Sequence, residues 1–204
     1  MNEIQKIDFS IYCKNYVDKL GNSFTEEVLT NIEQLSKLIK DIWINGKRVF
    51  ICGNGGSSAN AQHVANDFIY GIGNSKNNVS QNIKGVKIEA LTSNSNIITC
   101  LANDIGYENI FSYQLDVKAS SGDLLIVLSG SGNSPNVINA LKMAKKKGLH
   151  SCAILGYSGG LCKELCDLPI HFEINDMEIS EDCQMIIFNI IKQWLIRNKP
   201  NLLS

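Results

Sequence analysis

The stretch RVFICGNGGSSANAQHVANDF, residues 48–68, decides the fold of this chain. It opens with a short apolar run, breaks into Asn and Gly, and continues with a helical composition. Residues 123–141, DLLIVLSGSGNSPNVINAL, repeat the arrangement. A repeat of strand, loop and helix is typical of the βαβ units that build a parallel sheet. We therefore expect both loops at the carboxyl ends of strands, where ligands bind in such sheets.

Strand-like runs and helical segments alternate along the rest of the chain. The runs are residues 48–52, 86–91, 123–129, 151–157 and 168–174. The helical segments are residues 59–70, 95–102, 136–147, 161–165 and 179–197. This alternation predicts an α/β fold with a parallel sheet and helices on both faces. The polar residues 74–82 predict a surface loop rather than a linker.

Residues 1–46 precede the first strand and are predicted to be helical. Apolar residues recur at three- and four-residue steps through residues 23–47, which indicates an amphipathic helix. Ser23 with Glu26 matches a capping box, and Gly46 matches a helix stop. A shorter amphipathic segment covers residues 9–20. We expect these helices to cover the sheet or to pack against another subunit.

Length and charge restrict the class of protein. A chain of 204 residues without a Pro- or Ser-rich linker predicts one domain, residues 1–204. Nineteen basic residues against 20 acidic residues give a net charge of −1, so no field of one sign attracts nucleic acid or anionic lipid. No apolar run reaches the roughly 20 residues that span a membrane. We expect neither nucleic acid nor a membrane as a partner.

The seven cysteines predict free thiols. Their number is odd and we expect no signal peptide, which favours the reducing cytoplasm. Four lie in apolar segments and are predicted to pack as small hydrophobes: Cys52, Cys100, Cys152 and Cys183. Cys162 and Cys166 have helical spacing, but no second pair or nearby histidine completes a zinc site, which favours packing.

The two glycine- and serine-rich loops have the chemistry of a phosphate site. The turn at Asn54, Gly55 and Gly56 permits a close approach of backbone to ligand. The second loop offers serine hydroxyls, and the helices that follow offer unpaired N–H groups. A nucleotide P-loop would need a lysine that neither loop has. A dinucleotide-binding motif would need a third glycine. Loops that only cap a helix with serine would explain one such loop, but they explain less well why two occur at corresponding places.

The segments GNGGSSANAQHVANDF, LANDIGYENIF and LSGSGNSPNVINALKMAKKKG resemble the phosphoheptose isomerases, within the sugar isomerase (SIS) domain superfamily. The resemblance covers residues 9–195. It implies a single SIS domain, a five-stranded sheet between helices, and a homotetramer with active sites at subunit interfaces. It also implies conversion of sedoheptulose 7-phosphate to D-glycero-D-manno-heptose 7-phosphate for surface glycans such as capsule or lipopolysaccharide. The implied substrate contacts are Asn54, Gly55, Gly56, Ser57, Asn103, Asp104, Ser129, Gly130, Ser131 and Ser134.

His63 and Asp67 are the first candidates for catalysis. Ketose–aldose isomerisation needs a base near the transferred proton and an acid or metal at the developing enediol oxygen. Residues four apart on a helix face the same way. Such a pair is more often a surface hydrogen bond, but its place directly after a ligand loop favours a site. The resemblance assigns the pair to zinc binding and catalysis, with Asp67 one methylene shorter than the family's glutamate.

The C-terminal helix departs further from the family pattern. Aligning ISEDCQMIIFNII places Glu181 at a family glutamine and Asn189 at a histidine that binds zinc and acts in catalysis. The resemblance thus implies a zinc set of His63, Asp67, Glu181 and Asn189, in which Asn189 is a poor ligand and cannot titrate as a base. Glu181 is then expected to transfer the proton with Asp67. An acidic helix start that complements the dipole explains EISED equally well.

Two functions therefore compete. The first is an isomerase with Asp67, Glu181 and His63 as its catalytic groups. The second is a non-catalytic SIS module that binds a sugar phosphate or a protein in a regulatory role. Loss of the second histidine favours the module, whereas retention of His63, Asp67 and the serine loop favours the enzyme.

Overall fold

A five-stranded parallel sheet forms the centre of the computed structural model, which describes residues 8–72 and 84–199. The strands are β1 (Arg48–Gly53), β2 (Lys87–Ala90), β3 (Leu124–Ser129), β4 (His150–Leu155) and β5 (Leu168–His171). Their order is β2-β1-β3-β4-β5 and every pairing is parallel. The predicted sheet is confirmed. Because the order reverses between β1 and β3, the loops after these two strands flank a crevice.

Helices precede the sheet and cover both of its faces. They are α1 (Phe9–Asn22), α2 (Glu26–Ile44), α3 (Gly55–Asn66), α4 (Ser95–Ile105), α5 (Ser112–Lys118), α6 (Pro135–Lys147), α7 (Gly160–Leu165) and α8 (Met177–Arg197). A π-helical turn, Asp67–Gly71, continues α3, and a 3₁₀ turn, Tyr107–Asn109, lies between α4 and α5. The predicted helical segment 59–70 covers most of α3 and of the π-helical turn. Helix α5 and the 3₁₀ turn were not predicted, because their residues show no clear apolar period.

The core has two halves, one on each face of the sheet. Successive residues of β1 alternate between them: Val49 and Ile51 face α2, α3 and α8, whereas Phe50 and Cys52 face α4, α5, α6 and α7. All six residues of the central strand β3 are buried. Burial on both faces explains why DLLIVLS reads as a continuous apolar run rather than an alternating one.

The two N-terminal helices differ in burial. Helix α2 contributes seven buried residues to the core, whereas α1 has none. Helix α1 packs Tyr16 and Leu20 against the edge of the core, and the Tyr16 hydroxyl donates to Asp182 of α8 at 2.8 Å. The predicted start of α2 at Ser23 is wrong, because the Thr25 hydroxyl accepts the N–H of Val28 and caps the helix. Ser23 ends α1.

All seven cysteines lie in the described ranges and are free thiols. Three of the four predicted to pack in apolar surroundings are buried: Cys52, Cys152 and Cys183. The prediction is wrong for Cys100, which is exposed on α4 beside Asp104. Burial raises the pKa of the Cys162 thiol to about 12 and that of Cys166 to about 11. Cys162 belongs to the core half around α6 and α7, and Cys166 packs against it, which agrees with packing.

The loop predicted for residues 74–82 lies outside the described residues. Across residues 8–72 and 84–199, no helix has both the length and the apolar character needed to cross a bilayer.

The first turn of α8 depends on Asp176. Its carboxylate accepts the N–H of Ile179 at 3.2 Å and binds the Lys19 ammonium at 2.7 Å. The hydrogen bond from Lys19 lowers the pKa of Asp176 below its ordinary value of 3.8. We predict that Asp176→Ala lowers the free energy of unfolding by about 1 kcal/mol at neutral pH, since the helix loses its cap.

The effect of this substitution should depend on pH. A lowered folded-state pKa adds stability above the unfolded-state pKa, and this stability is lost as pH falls through the folded-state pKa. Urea unfolding of both proteins, from neutral pH down through the acid range, measures the loss. The difference should shrink below about pH 4, where the unfolded carboxyl protonates. Asp41→Ala, an exposed control on α2, should change stability by no more than about 0.5 kcal/mol at any pH. A difference that stays constant with pH would contradict the role of Asp176.

Candidate active site

The loops after β1 and β3 form the two walls of one cleft. It has a volume of about 270 Å³ and lies where the strand order reverses. Its lining residues are Asn54, Gly55, Gly56, Ser57, Leu128, Ser129, Gly130, Ser131, Ser134, Met177 and Glu181. Eight of the ten predicted substrate contacts are therefore brought together, and Glu181 lies among them.

Two helix N-termini open onto this cleft. Helix α3 begins at Gly55 and α6 at Pro135, and in neither helix does the N-cap side chain, Asn54 or Ser134, bond to the first turn. At α3 the amide groups of the first turn are thus left for a ligand. At α6, Pro135 has no N–H and the N–H of Val137 is taken by Asn136 Oδ1 at 3.0 Å. Both helix dipoles direct their positive ends at the cleft. Among the described residues that line it there is no lysine or arginine, so this arrangement suits an anion held by dipoles and hydroxyls.

The amide of Asn54 is oriented by two residues that sequence reasoning missed. Asn54 and Asn136 exchange two side-chain hydrogen bonds of 2.9 and 2.8 Å, and the Tyr107 hydroxyl donates to Asn54 Oδ1 at 3.0 Å. Asn136 is 1% exposed. The signal in the sequence was an asparagine directly after Pro135, inside the first turn of a helix, where its side chain needs a partner. This pair joins the two walls of the cleft.

The serine loop is held in place from two sides. Within it, Ser129 Oγ accepts the N–H of Gly132 at 3.1 Å, and Ser131 Oγ accepts that of Asn133 at 3.3 Å. From α7, Leu161 donates its N–H to Asn133 Oδ1 at 3.0 Å. Gly132 has φ +65°, and a Cβ there would lie 1.9 Å from the Gly159 oxygen. The loop is thus shaped before any ligand arrives.

Glu181 reaches the cleft because α8 docks on α3. The Gln184 side chain, 1% exposed, donates to Ser57 Oγ and accepts from Asn60 Nδ2, both at 3.0 Å. These bonds place the Glu181 carboxylate above Gly56, where an added Cβ would lie 2.1 Å from Glu181 Oε2. The absence of a side chain at Gly56 leaves the room that this carboxylate occupies. Sequence reasoning found Glu181 but missed Gln184.

His63 and Asp67 lie together but outside the cleft wall. His63 Nε2 is 3.4 Å from Asp67 Oδ2, as their spacing predicts, and Lys192 Nζ of α8 is 2.7 Å from the same oxygen. Asp67 follows Gly56 by eleven residues, a rise of about 16 Å along a helix. Within one protomer this pair therefore lies at the opposite end of α3 from the serine loop.

Three further predicted residues also lie away from the cleft. Asn103 and Asp104 are exposed on α4 and bond to each other at 2.8 Å. Asn189 is exposed on α8, eight residues after Glu181 and therefore about 12 Å further along the helix. None of the three residues lines the cleft of its own protomer.

A single protomer does not fit the predicted zinc ion. Catalytic zinc takes three protein ligands within about 2 Å. In the part of the chain that the structure describes, no three His, Cys, Asp or Glu side chains are close enough to hold a metal. The three acidic and imidazole members of the predicted set, His63, Asp67 and Glu181, are therefore not assembled within a protomer.

Comparison with known proteins agrees with this geometry. Residues 12–156 match the family model of the SIS domain. The phosphoheptose isomerase of Aneurinibacillus thermoaerophilus is 35% identical over 85% of this chain and 86% of that protein. The phosphoheptose isomerase of Campylobacter concisus is 37% identical over 88% and 93%. The structure of phosphoheptose isomerase from Neisseria gonorrhoeae has the same fold, with a TM-score of 0.81 and 24% identity over 93% and 96% of the two chains.

The fold, the paired loops and these relatives lead to one conclusion. The chain belongs to the phosphoheptose isomerase family of SIS domains and is an isomerase.

Proposed function

We propose that this enzyme converts sedoheptulose 7-phosphate to D-glycero-D-manno-heptose 7-phosphate, a step in making heptose for surface glycans. One observation carries the proposal. Two helix N-termini and the serine hydroxyls meet in a cleft without lysine or arginine, and one carboxylate, Glu181, forms part of its wall. A sugar phosphate matches that combination, because one of its ends is a dianion and the other carries the reacting carbonyl.

The charges in the cleft fix the direction of the substrate. The phosphate takes the serine loop and the first turn of α3, with the positive end of the α6 dipole beside it. Glu181 repels the phosphate and therefore faces the sugar chain. Asn54, held by Asn136 and Tyr107, offers its remaining amide hydrogen to a sugar hydroxyl.

The reaction moves one proton between neighbouring carbons. A carboxylate removes a proton from C1 of the ketose while the carbonyl oxygen at C2 gains a proton, which gives the enediol; the proton then returns at C2 while the C1 hydroxyl loses its proton and becomes the aldehyde. Glu181 is the carboxylate in the cleft of the same protomer. A second group is needed to protonate the carbonyl oxygen.

We assign that second role to Asp67 with His63, supplied across a subunit interface. The His63 side chain is 58% exposed, and Asn103 and Asp104 are exposed as well. These residues lie outside the cleft of their own protomer. In a homotetramer with active sites at its subunit interfaces, as the resemblance implies, they can line the cleft of a neighbouring subunit.

A second candidate function is binding of the sugar phosphate without turnover. Asn189 supports it, because a neutral amide stands where the family pattern has a catalytic histidine. The cleft would then hold its ligand for regulation of a partner.

A measurement of turnover separates the two functions. Proton NMR of sedoheptulose 7-phosphate with the purified protein in D2O should show a new anomeric aldose signal, because a carboxylate in the cleft can take the C1 proton. Broadening of the substrate signals without a product signal would overturn the isomerase and favour the binding module.

The role of Glu181 is tested by an isosteric change. Glu181→Gln keeps the shape of the side chain but cannot accept a proton. We expect kcat to fall by about 10² to 10⁴, whereas KM changes little, because the serine loop binds the phosphate. Glu178→Gln, an exposed position one turn earlier on α8, is the matched control and should leave kcat unchanged. Equal kcat values for wild type and Glu181→Gln would exclude Glu181 as the base.

The link between the two walls should control substrate binding. Asn136→Ala frees the Asn54 amide, and we expect KM to rise about tenfold, since misplaced polar groups weaken binding and catalysis together. The buried bonds lost should also cost about 1–3 kcal/mol of stability, which thermal unfolding measures. Asn139→Ala, on the next turn of α6, removes a bond to the Glu108 oxygen and should leave KM unchanged. The same KM for Asn136→Ala and wild type would contradict the orienting role.

A further inference from the structure

The Asp67 carboxylate has a cationic partner within its own chain, the side chain of Lys192. Lys192 reaches from α8 and places Nζ 2.7 Å from Asp67 Oδ2. The two side chains are only 25% and 19% exposed, so water screens this ion pair less than it would a pair on the open surface. His63 Nε2 approaches the same oxygen at 3.4 Å. One carboxylate oxygen is therefore shared by an imidazole and an ammonium group.

The backbone makes room for this lysine. Helix α3 does not end at Asn66 but continues as the π-helical turn Asp67–Gly71, a conformation that is frequent at functional sites. At Gly71 an added Cβ would lie 3.0 Å from Lys192 Cε and 3.3 Å from Nζ. A side chain at Gly71 would thus press on the lysine near its charged end.

Aromatic packing fixes the two elements relative to each other. The rings of Phe68 in the π turn and Phe188 in α8 meet edge to face, with centroids 6.0 Å apart, and both residues are buried. Phe68 directly follows Asp67, and Phe188 lies one helical turn before Lys192. The ion pair is therefore held by buried neighbours rather than by two free surface side chains.

A zinc ion at this place would compete with the lysine. Zinc bound between His63 and Asp67 would need to approach the carboxylate to about 2 Å. The ammonium group already occupies the same oxygen, and two cations at one oxygen repel each other. Among the described residues the protomer offers this pair no third His, Cys, Asp or Glu side chain as a ligand. The donor set thus fits an ammonium partner better than a metal ion.

We propose that Lys192 takes the place of a metal ion at Asp67. It acts as a positioning residue that orients the Asp67 carboxylate and balances its charge, and the isomerase works without bound zinc. This inference rests on the proposed function, in which Asp67 takes part in proton transfer. An ion pair that only joined the end of α3 to α8 would affect stability and leave the chemistry alone.

Three variants of the full-length protein test the inference. Lys192→Met removes the charge and keeps most of the length, Lys192→Arg restores a cation, and Lys37→Met breaks an exposed ion pair with Glu33 on α2 as the matched control. For each protein we would measure zinc affinity by calorimetry, kcat and KM with sedoheptulose 7-phosphate in EDTA and in added zinc, and thermal unfolding.

The expected results separate positioning from simple stabilisation. The wild type should keep its kcat in EDTA. Lys192→Met should lower kcat by about 100-fold with KM within about twofold, and Lys192→Arg should recover at least part of this loss. Lys192→Met should also bind zinc about tenfold more tightly than the wild type, because Asp67 and His63 lose their competitor. Lys37→Met should match the wild type in every measurement.

Other results would overturn the inference. If the wild type loses turnover in EDTA and recovers it in added zinc, the enzyme depends on a metal ion and the inference is wrong. If Lys192→Met unfolds at a lower temperature than the wild type but keeps the wild-type kcat, Lys192 contributes only to stability. If the wild type did not turn over the sugar at all, the proposed function would fail, and calorimetry would still decide the question: tighter zinc binding by Lys192→Met supports the replacement, and unchanged binding refutes it.

Discussion

The rest of the structure depends on the parallel pairing of β1 with β3. Val49 pairs with Leu124 and Gly53 with Leu128, so the two strands end at the same level and their loops emerge side by side. The chain must then leave in opposite directions, to β2 on one side and β4 on the other, which opens a crevice between the loops. The hydrogen bonds between Asn54 and Asn136 join the two loops across it. A shift in the pairing of these strands would separate the halves of the phosphate site.

In the proposed function the anion is held by backbone and hydroxyl groups rather than by cationic side chains. Because α3 and α6 both start at the crevice, their dipoles add where the serine hydroxyls also lie. Near-zero net charge is compatible with this design, since attraction is confined to the cleft. Glu181 stands in the same cleft, and the described residues that line it include no lysine or arginine to pair with its carboxylate.

Helix α8 positions side chains of the proposed reaction at two places along its length. Its first turns place Glu181 over Gly56, through the buried contacts of Gln184 with α3. About three turns later the same helix places Lys192 on Asp67. One docked helix therefore positions both carboxylates of the proposed reaction, one inside the cleft and one on the outer surface. The separation of the two places explains why the predicted zinc ligands do not meet within a protomer, and it makes the assembly of subunits part of the proposed mechanism.

The sheet, most of its covering helices and both glycine- and serine-rich loops could be predicted from the sequence, because apolar periods and Gly- and Ser-rich breaks are local signals. Prediction from the sequence failed where the signal was short or depended on neighbours distant in sequence. Helix α5 has too few residues to show a period, Thr25 rather than Ser23 caps α2, and Cys100 lies in an apolar segment yet faces outward. Three contacts depend on how the helices pack and could not be predicted from the sequence. They are Asn54 with Asn136, Ser57 with Gln184, which places Glu181, and Asp67 with Lys192. Each of them joins residues more than 80 positions apart in the sequence. The spacing of residues predicts which side of a helix they share, but the partner of that side is set by how the helices pack.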